Sequence, residues 1–341
     1  MRIGLIGTGR IGAFHASTLA ALPAVTGLIL HDPDTRSART VAERVGAECA
    51  DGLDALLGAG LDGIVITAPT GSHAELILAA HRAGLPAFCE KPVASTLDET
   101  DRVLSALEGS DVPLQIGFQR RFDGGYRAAR EAVVAGRLGW THTLRACTSD
   151  PAPPHPGYIP GSGGIFRDCS VHDYDIVRWV TGREITEVYA TGANRGEEFF
   201  AAAQDVDTAV SVLTLDDGTL ATCTATRYNG AGYDVRLEVC GSEGTIVAGL
   251  TEQAPLTSAE GTTWPAGTPY PGFMERFQDA YRAELTAFTE VVAGTRPSPC
   301  TGEDARAALA VAEAATRSRA EGRPVAVSAP ARPHALGNRR A

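Results

Sequence analysis

The spacing of apolar and polar positions divides the chain into two textures. In its first third, short continuous apolar runs recur at intervals. RIGLIG at 2–7, GLILH at 27–31, GIVITAP at 63–69, PAFCEKP at 86–92 and VPLQIGF at 112–118 read as buried strands. Amphipathic stretches lie between them: Ile11 to Leu22, DTRSARTVAERVG stopped by Gly46, SHAELILAAHRAG stopped by Gly84, and TLDETDRVLSALEG. Strands without alternation are buried on both faces. When they are separated by helices of 10–15 residues they predict βαβ units and a parallel sheet.

After about residue 120 the pattern changes. GRLGWTHTLRACTSD is strand-like, PAPPHPGYIPGSGG at 151–164 is loop by composition, and DCSVHDYDIVRWVTG reads as a helix stopped by Gly182. EITEVYATGA, DTAVSVLTLDDGTLATCTATRY and YDVRLEVCGSEGTIVAG are strand candidates, punctuated by DDG and SEG as hairpin turns. That predicts a mostly antiparallel, open sheet. Two helices follow near 274–293 and 303–320. The second opens at Thr301, with Asp304 three residues on as in a capping box, and stops at Gly322. The expected class is α/β, with three segments: a doubly wound domain over 1–119, an α/β domain over 120–327 and a tail over 328–341.

Composition narrows the function. At 341 residues the chain exceeds what one core usually serves, which supports two domains. A net charge of −11 provides no basic excess for nucleic acid or anionic membranes, so neither is an expected partner. The chain has no charged-then-apolar leader and no apolar run of about 18 residues, which sets a cytoplasmic expectation. Its seven cysteines are scattered and never form C-x-x-C, as expected of reduced thiols and not of a disulfide framework or zinc site.

Three sets of residues carry candidate chemistry. Gly7-Thr8-Gly9-Arg10-Ile11-Gly12 follows a strand, opens a helix, and has Asp32 at the end of the next strand. This is the context of a dinucleotide fingerprint. Gly7 permits the turn, Gly9 admits the pyrophosphate, Gly12 lets helix and strand pack, and Asp32 accepts from ribose hydroxyls. Asp32 favours NAD over NADP, while the nearby Arg36 is of a type that accommodates a 2′-phosphate. Lys91, in CEKPVA, is the only lysine among 30 Lys+Arg. Arginine is effectively never deprotonated, whereas lysine exchanges protons, so the exception is a candidate for chemistry. Asp168 and His172 stand four residues apart, on one face of a helix, where the carboxylate can orient the imidazole; a capping Asp beside an unrelated His fits the same spacing. A metal pair here needs a third ligand, and Asp173 and Asp175 are on other faces, so no metal is expected.

GTGRIG, TAPTGSHAE, CEKP, GFQRRFD and SGGIFRDCSVHDYD occur in that order, followed by GYDVRLEVCGSEG. Over residues 2 to about 326 the chain resembles the glucose-fructose oxidoreductase/inositol dehydrogenase (Gfo/Idh/MocA) superfamily, and within it the bacterial inositol 2-dehydrogenases. The resemblance implies a Rossmann domain and NAD as cofactor. Contacts to it are expected from Gly7, Gly9, Arg10, Ile11, Gly12 and Asp32, from Thr67, Ala68, Pro69 and His73, and from Glu90 and Lys91. It implies oxidation of a ring secondary alcohol of a cyclitol, myo-inositol first, with Lys91, Asp168 and His172 catalytic. Lys91, Arg120, Asp150, Asp168, His172 and Tyr233 would contact substrate. Tyr233 packed in a sheet, or Arg120 and Arg121 paired with Asp123, are the structural alternatives. Cys169 and Ser170 stand where many inositol enzymes have Met and Thr. That leaves scyllo-inositol, an aminocyclitol intermediate or a pyranose as other substrates, and an NAD-binding regulator as a different class. The resemblance further implies a homo-oligomer, commonly a tetramer, built on the outer face of the second sheet.

Overall fold

The computed structural model describes residues 1–328. In chain order the strands are β1 (Arg2–Ile6), β2 (Gly27–His31), β3 (Glu48–Cys49), β4 (Gly63–Ile66), β5 (Ala87–Glu90), β6 (Leu114–Gly117), β7 (Thr141–Ser149), β8 (Ile185–Ala193), β9 (Thr208–Leu215), β10 (Leu220–Thr226), β11 (Asp234–Gly241), β12 (Thr245–Ala248) and β13 (Val325–Ala326). The α-helices are α1 (Arg10–Ala20), α2 (Thr35–Val45), α3 (Leu53–Leu57), α4 (His73–Arg82), α5 (Leu97–Leu107), α6 (Gly124–Val134), α7 (Val171–Thr181), α8 (Phe199–Ala202), α9 (Phe273–Arg276), α10 (Gln278–Val292) and α11 (Gly302–Glu321). The tail expected over 328–341 lies, beyond residue 328, outside the described residues.

One compact unit comprises residues 1–119 and 279–306. Its six strands are all parallel, in the order β3-β2-β1-β4-β5-β6. The order reverses between β1 and β4, and the crevice at the carboxyl ends of these two strands is where such sheets take ligands. The continuous apolar runs become fully buried strands: Ile3, Leu5, Leu30, Val65 and Phe88 are all 0 % exposed. Leu285 and Phe288 of α10 join this cluster. The Phe288 ring lies 5.9 Å from that of Phe88, and Gly63 keeps β4 slim where a Cβ would meet the Val292 side chain at 2.7 Å. Residues 279–306, expected in the second domain, belong to this unit. Helical periodicity reveals an apolar stripe but not which core the stripe enters. The helix expected near 274–293 is also interrupted, because Phe277 leaves helical geometry (φ −112°, ψ 18°) to bury its ring fully.

Residues 120–278, with 307–328, form the other unit. Its seven-stranded sheet has the order β12-β11-β7-β10-β9-β8-β13. All pairings are antiparallel except β7 with β10, which run parallel with Ser149 opposite Thr226. The expected hairpins are present at Asp216–Gly218 and Ser242–Gly244. Tyr174 of α7 is buried on the sheet, its hydroxyl 2.7 Å from Ser211 Oγ. Tyr189, Val210, Val212 and Leu220 remain exposed. The Thr301 start of α11 forms as read: the Thr301 N–H donates to Asp304 Oδ2 (2.9 Å) and the Asp304 N–H to Thr301 Oγ1 (3.3 Å).

Candidate functional site

The glycine loop between β1 and α1 is shaped by three different constraints. Gly7 has φ +93°, and a Cβ there would lie 2.6 Å from Ala68 N. A Cβ on Gly12 would fall 1.9 Å from Gly7 O, so the helix can approach the strand only without one. At Gly9 nothing lies within 4 Å of the Cβ position, and no side chain caps α1, which runs on through Arg10 and Ile11. An open backbone surface at the positive end of a helix suits a pyrophosphate, so these residues fit NAD. Asp32 is held against this loop: Oδ2 accepts from the Thr8 N–H (2.7 Å) and lies 3.1 Å from Thr8 Oγ1, and Oδ1 accepts from the Asp34 N–H (2.8 Å). A carboxylate has further acceptor capacity for ribose hydroxyls. Arg36 is exposed, and its N–H donates to the α2 cap Asp34.

The segments following β4 and β5 are tied together. Thr67 Oγ1 lies 2.7 Å from Gly7 O. Beyond it, Ala68 is half-buried and Pro69 exposed. The buried His73 ring reaches both segments, with Nε2 2.8 Å from Ala68 O and Nδ1 2.7 Å from Pro92 O. Glu90 Oε1 is 2.6 Å from Nε2 of His15, a fully buried residue of α1. The Glu90 carboxylate also occupies room left by Gly117, where a Cβ would lie 3.1 Å from Oε2. Lys91 follows directly, half-buried, with a cis peptide to Pro92.

The second unit holds a compact polar cluster. Asp150 lies just past β7 and Arg227 just past β10, side by side because these strands are parallel in register. Arg227 Nη1 donates to Asp150 Oδ2 (3.0 Å) and Nη2 to Asp168 Oδ2 (2.7 Å). The Tyr158 hydroxyl donates to Asp168 Oδ1 (2.9 Å). Burial raises the Asp150 carboxyl above the usual carboxylate range, with Arg227 pulling it partly back. Burial, and then the Asp168 charge, likewise raise the Tyr158 phenol, which keeps it a donor.

Several site expectations change on the structure. Residues Phe166–Ser170 form a π-helical turn and α7 begins only at Val171, so Asp168 and His172 come from adjoining turns and not from one regular α-helix. Arg120 is 2 % exposed, donating to Thr148 Oγ1 (2.8 Å) and paired with Asp173. Arg121 pairs with Asp175, and Asp123 instead caps α6 and accepts from Arg276. Thus the two aspartates that follow His172, Asp173 and Asp175, neutralise buried arginines. Tyr233 is 6 % exposed, its ring edge-on to Phe277, as in the packing alternative. Arg227, Tyr158 and His15 were missed. A lone arginine in an arginine-rich chain carries no spacing signal; it is the β7–β10 register that sets it beside Asp150.

Comparison with known proteins agrees with this arrangement. The model of the oxidoreductase family with NAD-binding Rossmann fold, GFO_IDH_MocA, matches residues 1–118, and that of the GFO/IDH/MocA C-terminal domain matches 126–247. The chain is 38 % identical to the myo-inositol 2-dehydrogenase of Thermotoga maritima, covering 95 % of this chain and 98 % of that one. It is 35 % identical to the scyllo-inositol 2-dehydrogenase (NAD(+)) of Bacillus subtilis, covering 95 % and 96 %. The crystal structure of scyllo-inositol dehydrogenase from Lactobacillus casei with bound NAD(H) and scyllo-inositol superposes with a TM-score of 0.88 at 29 % identity, covering 96 % and 99 %. With its parallel nucleotide sheet, its open glycine loop and this full-length similarity, the chain belongs to the GFO/IDH/MocA family of NAD-dependent oxidoreductases.

Proposed function

We propose that the protein oxidises one ring secondary alcohol of a cyclitol, myo-inositol first, to the ketone. The observation that carries this reading is full-length similarity to enzymes named for myo- and scyllo-inositol, together with a glycine loop open at Gly9. NAD, when bound, supplies the hydride acceptor. The chain's own residues manage the proton and the charge. His172 takes the hydroxyl proton as general base. The Lys91 ammonium lowers the cost of alkoxide character on that oxygen. Asp168, with Asp150 beside it, accepts from neighbouring ring hydroxyls. Scyllo-inositol is the second reading, favoured by the Bacillus and Lactobacillus relatives.

The same reading includes a homo-oligomer, a tetramer by preference, assembled in the cytoplasm. Its support is the row of exposed apolar residues on one sheet: Tyr189 at 41 %, Val210 at 39 %, Val212 at 40 % and Leu220 at 48 %. Among the described residues no helix is long and apolar enough to cross a membrane. Sedimentation of the purified protein gives the oligomer size. A panel of cyclitols and pyranoses, followed by NADH absorbance with NAD and NADP in parallel, tests the activity. Myo-inositol with NAD is expected to show the highest kcat/KM, and no turnover of any cyclitol would refute the reading.

A further inference from the structure

We propose that Arg227 is the positioning residue of the substrate cluster, its guanidinium setting the separation and orientation of the Asp150 and Asp168 carboxylates; this rests on the cyclitol reading. Arg227 is 3 % exposed, and its backbone is fixed by an N–H donated to Asp207 O at 2.8 Å. Asp150 is fixed in the same way by an N–H donated to Thr226 O at 2.9 Å. Two short, anchored backbones thus present the guanidinium to Asp150 at 3.0 Å and to Asp168 at 2.7 Å. Asp168 comes from the π-helical turn, a separate element, and its second oxygen is held by Tyr158. The Cys169 thiol, 3.9 Å from Asp150 Oδ2, closes the same side.

The chemistry explains why an arginine is needed. Two carboxylates brought this close repel each other, and one of them takes up a proton unless a cation lies between them. A cyclitol presents hydroxyls on adjacent carbons, each a donor, so recognition by two carboxylates requires both to be ionised acceptors at a fixed spacing. A planar guanidinium holds two carboxylates through separate N–H groups. An ammonium is a single point charge without that fork. Arg227 acts through the two aspartates and is itself no reactant.

The test compares Arg227→Lys and Arg227→Ala with the wild type. Readouts are thermal unfolding, NADH binding by fluorescence, kcat and KM for myo-inositol, and crystal structures. Arg227→Lys is expected to keep NADH affinity within about twofold, because the nucleotide residues lie in the other unit. Its kcat/KM is expected to fall roughly 100-fold, mostly through KM, since misplacement by about 1 Å is worth that much. Methylguanidinium is expected to restore at least about tenfold of the lost rate to Arg227→Ala and none to Arg227→Lys. If Arg227→Ala fails to fold, Arg227→Lys alone decides through its KM and its structure. A lysine variant with wild-type kcat/KM overturns the proposal. Should the wild type turn over no cyclitol, the functional reading falls, and the positioning claim is decided by the crystal structures. Carboxylates that keep their places in Arg227→Lys would then overturn it, and carboxylates that move apart would support it.

Discussion

The imidazole of His15 is wholly buried and its Nε2 lies 2.6 Å from Oε1 of Glu90, the residue before the only lysine of the chain. The rings of Phe14, Phe88 and Tyr281 surround it at 5.5–6.0 Å. Helix α1, which carries the open glycine loop at its start, is thereby fastened to the end of β5. His15→Ala removes the donor from a carboxylate that is only 15 % exposed. The expected cost is about 1–3 kcal/mol of stability, read as a lower midpoint in urea unfolding. An unchanged midpoint would show that the contact contributes nothing.

Gly9 and Gly12 separate binding from folding. Gly12→Ala puts a methyl into Gly7 O and is expected to cost about 1–3 kcal/mol. Gly9→Ala meets no protein atom, so its unfolding midpoint stays near wild type while NADH affinity falls about tenfold, equivalent to about 1.4 kcal/mol. Equal loss of stability in both variants would contradict this division.

Lys91→Arg preserves charge but replaces a compact ammonium, a point charge aimed at the developing alkoxide, with a broad planar guanidinium. The protein is expected to fold and bind NADH, with kcat lowered about 10²–10³-fold. Stopped-flow hydride transfer separates this effect from product release. A near-wild-type rate would remove Lys91 from the chemistry.

One contribution to the pH dependence comes from Asp150, whose pKa burial raises. Above that pKa the group is a carboxylate that accepts from substrate and from Arg227; as pH falls through it, the carboxyl is protonated and that acceptor is lost. The kcat/KM of the wild type should therefore decline on the acid side beginning at a higher pH than an exposed carboxylate would give. Asp150→Asn, neutral throughout, is expected to remove the Asp150 contribution and leave only the part of the limb set by the general base His172, while lowering the plateau. For stability the sign is opposite: a raised folded pKa favours the fold most below the unfolded value, and the benefit is lost as pH rises through the folded one. Matching acid limbs in wild type and variant would assign the limb to another group.

Much of the first unit was legible because its signals are local. Gly7, Gly9 and Gly12 have fixed spacing, the buried strands are continuous apolar runs, and Gly46 and Gly84 do stop their helices in the left-handed region. The Thr301 capping box was legible for the same reason. What failed was non-local. The apolar stripe of α10 shows no preference for either core until Phe288 meets Phe88. Asp168 and His172 read as one helix, and the π turn that carries Asp168 has no sequence signature of its own. Arg120 is an arginine in either setting, and only its burial against Asp173 distinguishes them.

The parallel pairing of β7 with β10 also bears on how the protein is made. Among the described residues it is the one parallel pair of its sheet, and it brings Arg227 to Asp150 across 77 residues. Parallel pairings need a long crossover, whose loop-closure entropy precedes any contact that offsets it. The hairpins β9–β10 and β11–β12 close over short turns and form early by the same reasoning. The carboxylate cluster is thus expected among the last contacts of its unit to form. On a growing ribosomal chain Asp150 and Asp168 precede Arg227, so until β10 docks their carboxylates have water and not this guanidinium as their partner.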